Sequence, residues 1–152
     1  MIDIKQVHKS FGNREILKGI DLHVPTGSVT VILGPSGSGK TTFLRTLNFL
    51  EKANAGTMQL NDISVDLHKA SNKEILNARR NTSMVFQSYN LFSNKTVIEN
   101  IMEGLVTVKK MKKSQAREIA QRFLKEVDME DYDDYYPVQL SGGQQQRIGI
   151  AR

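Results

Sequence analysis

Apolar and polar residues alternate loosely over residues 2–11 and 16–24, with Gly12 and Asn13 between them. A period of two interrupted by a turn signal predicts an antiparallel strand pair, and Pro25 and Gly27 close it. Val29, Val31, Ile32 and Leu33 then make a short, nearly continuous β-branched run, the pattern of a strand buried on both faces. From Thr41 the period lengthens: Phe43, Leu44, Leu47 and Leu50 recur at helical spacing, and residues 54–56 end the predicted helix. Met58, Leu60, Ile63 and Val65 predict a hairpin after it.

Ser71 followed three residues later by Glu74 is a capping-box signal, opening a helix to about Arg80 before a predicted strand over residues 83–86 that ends at Gln87. Thr96 and Glu99 repeat that signal, and the helix they open should turn Val97, Ile98, Ile101, Met102 and Leu105 inward. Over residues 114–127, Ala116, Ile119, Ala120, Phe123, Leu124 and Val127 form one apolar stripe, with Glu118 and Arg122 spaced to pair on the opposite side. Residues 97–134 therefore predict a helical subdomain, and the acidic residues within 128–134 a solvated connector without metal-loop spacing.

Gly34, Pro35, Ser36, Gly37, Ser38, Gly39, Lys40 and Thr41 match the phosphate-binding pattern GxxxxGK[ST] position for position, between a predicted strand and a predicted helix. Glycines let backbone amides curve around phosphate oxygens with no Cβ in the way, and the helix start adds its positive end. Lys40 would reach the β and γ phosphates of ATP and Thr41 would hold Mg²⁺; Thr42 joins the nucleotide-binding set.

Leu140, Ser141, Gly142, Gly143 and Gln144, continued by Gln145, Gln146 and Arg147, form a second motif. A hydroxyl and two glycines at a helix start make another anion cradle. This string resembles the signature of ABC ATPases, and the residues from Ser88 to Phe92 and then from Thr96 to Ile101 resemble the branch serving polar amino-acid importers. The resemblance implies an α/β P-loop NTPase core with an N-terminal antiparallel β subdomain and an inserted helical subdomain, divided as 1–95, 96–139 and 140–152.

It further implies that Phe11 stacks on adenine, that Gln87 contacts Mg²⁺ and the attacking water, and that Lys40 and Gln87 are the catalytic groups of this chain. Two subunits would pair head to tail as a homodimer, each signature acting on the other's ATP. A transmembrane permease would dock after Gln87, with Leu91 and Phe92 on that surface, and an amino-acid-binding protein would act through the permease. The place implied is peripheral, on the cytoplasmic face of the membrane.

The resemblance spans the whole chain, and the family's Walker B aspartate, catalytic glutamate and switch histidine have no counterpart within it. Hydrolysis by these residues alone is expected near background, and an incomplete sheet is expected to leave apolar surface exposed, with marginal stability or aggregation. Asp66 and Asp128, each after an apolar residue, are read as structural rather than as displaced substitutes, and Gly149 as a weak point in the last helix.

Composition narrows the classes around this reading. The chain has 152 residues, no cysteine and a net charge of +5, so thiolate metal sites and disulfides are excluded. No apolar run reaches the ~18 residues of a bilayer span. The basic balance suits nucleotide phosphates, the anionic membrane leaflet or nucleic acid; Lys109, Lys110, Lys112 and Lys113 are read as a solvated helix end because no aromatic residues are interleaved with them. Two other classes remain open: a soluble ABC ATPase acting on nucleic acid or ribosomes, and a non-hydrolysing nucleotide-binding module. No nucleic-acid module accompanies the first.

Overall fold

Ile2–Phe11 (β1) and Arg14–Val24 (β2) pair antiparallel, as the alternation predicts. Ala55–Leu60 (β3) and Ile63–Asp66 (β4) form the second hairpin, and the four strands make one sheet in the order β2-β1-β3-β4. The register of β1 slips near Gln6, which has a left-handed backbone (φ 51) and donates its N–H to the Asp21 carboxylate at 2.7 Å. That bulge pushes β1 onto β3 at Gly56, where φ is 122 and an added Cβ would lie 2.8 Å from the Val7 Cα.

This is a computed structural model describing all 152 residues, and the chain divides into two compact units, Met1–Met84 and Val85–Arg152. In the first unit the inner faces of the sheet bury Ile4, Val7, Leu17, Met58 and Val65 with Phe43 from the helix Lys40–Leu47 (α1) and Ala78 from the helix Asn72–Arg80 (α2). α2 starts with the expected capping box: the Glu74 N–H donates to Ser71 Oγ, and Ser71 N–H and Oγ–H donate back to the Glu74 carboxylate.

Three expectations fail here. Residues 29–33 form no strand; Val29, Val31 and Leu33 are 91%, 72% and 85% exposed rather than doubly buried. Residues 83–86 form none either. A strand exists only through its ladder partners, and the sheet of this unit pairs only with itself. α1 ends at Leu47 instead of running to residues 54–56, because Phe49 takes a left-handed backbone (φ 54) that packs its ring on the core. Leu44 and Leu50, expected on the buried face, stay exposed.

The second unit is helical. Val97–Glu103 (α3), Lys113–Glu126 (α4) and Gly142–Ala151 (α5) bury Val97, Ile98, Ile101, Ala120, Leu124 and Ile148 together. α3 has the expected Thr96–Glu99 capping box, but beyond Glu103 it widens into a π-helical turn, Gly104–Val108, that the periodicity does not signal. The acidic connector contains a short 3₁₀ turn, Glu130–Tyr132, behind a fully buried Met129. Glu118 and Arg122 do not pair; Arg117 reaches Asp133 at 3.4 Å instead, and Phe123 in the expected stripe is left 39% exposed.

Three carboxyls are held below their ordinary values by hydrogen bonds: Asp66 by the backbone N–H groups of Lys69 and His68, Glu74 by Ser71, and Glu103 by Lys95 and Thr107. A depressed carboxyl stabilises the folded chain above its unfolded value, about 4, and ceases to as pH falls through its lower folded value. The unfolding temperature is therefore expected to fall as pH drops below about 4, with a shallower fall in Glu74→Gln; identical slopes would remove this assignment. Gly56→Ala is expected to cost about 2 kcal/mol or more in urea unfolding, since it adds both backbone strain and a backbone clash.

Candidate functional site

The loop over residues 34–39 leads into α1 through Gly39, whose backbone is left-handed (φ 93) and lies against β2. A Cβ at Gly39 would come within 2.9 Å of Ile16 Cγ2 and 3.2 Å of Leu17 Cδ2, so only glycine lets the loop exit onto the sheet there. Phe43, one turn on, fills the core and fixes the helix axis. Sequence and packing thus combine to hold the first turn of α1 still.

That first turn is uncapped. Gly39 supplies no side chain, and the backbone N–H groups of Lys40, Thr41 and Thr42 donate to no group of the protein. The first four amides of a helix lack intrahelical acceptors and are normally satisfied by a cap, water or a ligand. The Lys40 ammonium folds over the loop, donating to the carbonyls of Gly34 at 2.6 Å and Pro35 at 2.8 Å. Ser38 tightens the bend through its N–H to the Pro35 carbonyl at 3.2 Å. Free amides, a helix start and one ammonium converge on a small volume, which fits a phosphate group. Beside the loop, Leu17, Leu22, Ile32, Phe43 and Lys40 border a cleft of about 390 Å³.

Phe11 stands at the end of β1, 49% exposed, and the Lys9 ammonium lies 4.6 Å from its ring centroid. Lys9 is itself buried, paired with Glu51 at 2.7 Å and donating to the Lys52 carbonyl at 2.8 Å. One face of this half-exposed ring is thereby covered by the ammonium.

In the second unit Gln87 is exposed in a turn. The second motif opens α5: Leu140 is buried, Ser141 is the N-cap, and Gly142, Gly143 and Gln144 form the first turn. Its cap is already filled, since the Gln144 N–H donates to Ser141 Oγ at 3.3 Å and the Ser141 N–H to Gln144 Oε1 at 2.8 Å. Only the Gly142 and Gly143 amides and the Ser141 hydroxyl proton remain available. The two candidate cradles therefore differ: one is bare, the other self-capped.

Three residues to which the sequence reading gave no role of their own organise this unit. Asn100 is fully buried on α3, donating to the carbonyls of Phe92, Lys95 and Thr96 and accepting the Phe92 N–H at 2.7 Å. It holds residues 92–96, and a lone polar residue amid the inward Val97, Ile98 and Ile101 is the signal that could have found it. Tyr89 and Asn90 are consecutive left-handed residues (φ 58 and 52), and the Tyr89 hydroxyl lies 3.1 Å from where a Cβ on Gly142 would sit. No local pattern announces that contact.

The profile described as ABC transporter matches residues 17–152. The chain is 52% identical over 152 residues to the L-cystine import ATP-binding protein TcyN of Bacillus subtilis (strain 168), covering 100% of this chain and 59% of that protein. It is 50% identical over 159 residues to the arginine transport ATP-binding protein ArgV of Corynebacterium glutamicum, covering 100% of this chain and 63% of that protein. The chain thus spans about three fifths of the length of these curated relatives. Among solved structures it is similar to a dimeric bacterial ABC transporter cassette, with TM-score 0.84, 34% identity, and 99% of this chain and 68% of the other covered. A post-hydrolysis dimer of an ATP-binding cassette bound to ADP and Pi gives TM-score 0.84 at 33% identity, again over 99% and 68%.

Gly149 in α5 faces Tyr89, and an added Cβ would rest at ordinary contact, 3.6 Å from the Tyr89 carbonyl oxygen and 3.8 Å from its Cα. Gly149→Ala is expected to stabilise the chain by about 1 kcal/mol through helix propensity, read as a higher urea midpoint at unchanged slope; a lower midpoint would contradict the geometry.

Proposed function

The chain belongs to the ABC transporter family and has its ATPase fold, and on that premise we propose that it is part of the ATP-binding subunit of a polar amino-acid importer. The complete subunit would couple ATP binding and hydrolysis to uptake through a transmembrane permease, with an amino-acid-binding protein delivering the cargo. The observation that carries this reading is the uncapped start of α1, with three free amides beside the Lys40 ammonium. The names of the relatives, which speak of cystine and arginine, support the cargo class.

Residues 34–42 would bind the triphosphate: the amides of Lys40, Thr41 and Thr42 donate to its oxygens, and Lys40 exchanges the Gly34 and Pro35 carbonyls for the β and γ phosphates. Mg²⁺, when bound, neutralises charge on the phosphate oxygens; the Thr41 hydroxyl is the donor this loop offers it, and Gln87 is proposed for Mg²⁺ and the attacking water. Phe11 would stack on adenine with the face away from Lys9. Leu140, Ser141, Gly142, Gly143 and Gln144 would act on the ATP of a second copy in a head-to-tail homodimer, a reading supported by the dimeric state of the structural neighbours.

The division into nucleotide-binding core (1–95), helical subdomain (96–139) and signature segment (140–152) is proposed as a functional one. No helix is long and apolar enough to cross a membrane. The place proposed is the cytoplasmic face of the membrane, with attachment through the permease. Lys40→Ala is expected to weaken Mg²⁺-ATP binding at least about tenfold, because a charge-assisted contact to phosphate is lost. Equal affinity of mutant and parent in calorimetry or nucleotide-fluorescence titration would remove the phosphate-loop reading.

A further inference from the structure

We propose that the turn carrying Lys109, Lys110, Lys112 and Lys113 is a membrane-contact surface that binds the anionic headgroups of phospholipids. The four lysines occupy four of the five positions 109–113, from the end of the π-helical turn to the first residue of α4, and all four are exposed. None takes part in an ion pair, although the neighbouring Lys95 and Arg117 are each matched by Glu103 and Asp133. The backbone keeps them together: the Lys109 N–H donates to the Gly104 carbonyl at 3.1 Å, the Met111 N–H to the Leu105 carbonyl at 3.0 Å, and Lys110 has φ 55. Met111, between the two pairs, is half-buried and anchors the turn, so the lysines flank the anchored point.

The arrangement is electrostatically unfavourable for the isolated fold. α4 has no acidic residue in its first turn and no side-chain cap, so two of the lysines sit at the positive end of a helix where acidic residues are the stabilising choice. Concentrated, unneutralised positive charge of this kind suits a surface with a high density of negative charge. Two further observations favour a lipid surface over a nucleic acid. No aromatic side chain is interleaved with the lysines to stack on bases. Val108, directly before them, is 78% exposed and offers an apolar tip to the headgroup layer. The proposal rests on the importer reading only in placing this chain beside a membrane; the charge argument does not need it.

The test is vesicle flotation of the whole chain without nucleotide, comparing pure phosphatidylcholine with phosphatidylcholine containing phosphatidylglycerol; aggregated protein pellets and is excluded from the floated fraction. Flotation is expected only with phosphatidylglycerol, to be abolished by high salt, and to weaken by roughly tenfold or more when Lys109, Lys110, Lys112 and Lys113 are all changed to Gln. A control with the same charge loss elsewhere, Arg14, Lys18, Lys69 and Lys73 changed to Gln, should float like the parent. Equal flotation of the two quadruple variants, or flotation on pure phosphatidylcholine, would overturn the proposal. So would displacement by millimolar inorganic phosphate, which would mark a free-anion site, or tighter retention by a single-stranded oligonucleotide at the same salt. ATP affinity is measured on the same samples, so a failure here leaves the phosphate-loop reading standing and the reverse failure leaves this one.

Discussion

The first unit depends on one close approach, the backbone of Gly39 against Ile16 and Leu17 of β2. Because no Cβ intervenes, the loop leaves the sheet at a fixed angle and Phe43 drops into the core one turn later. The consequence is chemical. A helix held by its core side chain need not be held by a cap, so its first amides can stay free for a ligand without loosening the helix. Removing the close approach would cost the geometry before it touched any group proposed to meet phosphate.

The second unit solves the helix-start problem in the opposite way. Ser141 and Gln144 satisfy each other at the start of α5, as Ser71 and Glu74 do in α2 and Thr96 and Glu99 in α3. Such reciprocal bonds stabilise a helix by about 1 kcal/mol, which is small enough for a charged ligand to compete with. A ligand at the bare start would fill a vacancy in hydrogen bonding, whereas one at the capped start would have to exchange with the cap. Chemically similar Gly-rich motifs thus enter the folded chain in different states of readiness.

What could be read from the sequence follows from the range of the interaction responsible. Both acidic capping boxes, both hairpins, and the helices from residue 72 and near residue 113 rest on contacts within a few residues, and all are present. Residues 29–33 and 83–86 have the composition of strands but lack a pairing neighbour in the sheet, and composition cannot supply one. The π-helical turn, the early end of α1 at Phe49 and the Arg117–Asp133 pair are tertiary choices among near-equal local states. At the candidate site the residues of the loop were legible because the pattern is local, a fixed spacing of glycines, lysine and threonine ahead of a helix. The filled cap at Ser141 has the same spacing as the other two boxes, and Asn100 is marked by its polarity amid inward apolar residues, but which acceptors Asn100 reaches is decided by tertiary packing.

Lys9 beneath Phe11 has a stereochemical consequence. An isolated benzyl ring presents two equivalent faces, but the buried ammonium removes that symmetry. A planar molecule stacking on this ring would have to approach from the side away from Lys9. If Phe11 meets a guest, the ring would act as a one-sided receptor, with the ammonium beneath it holding the other face.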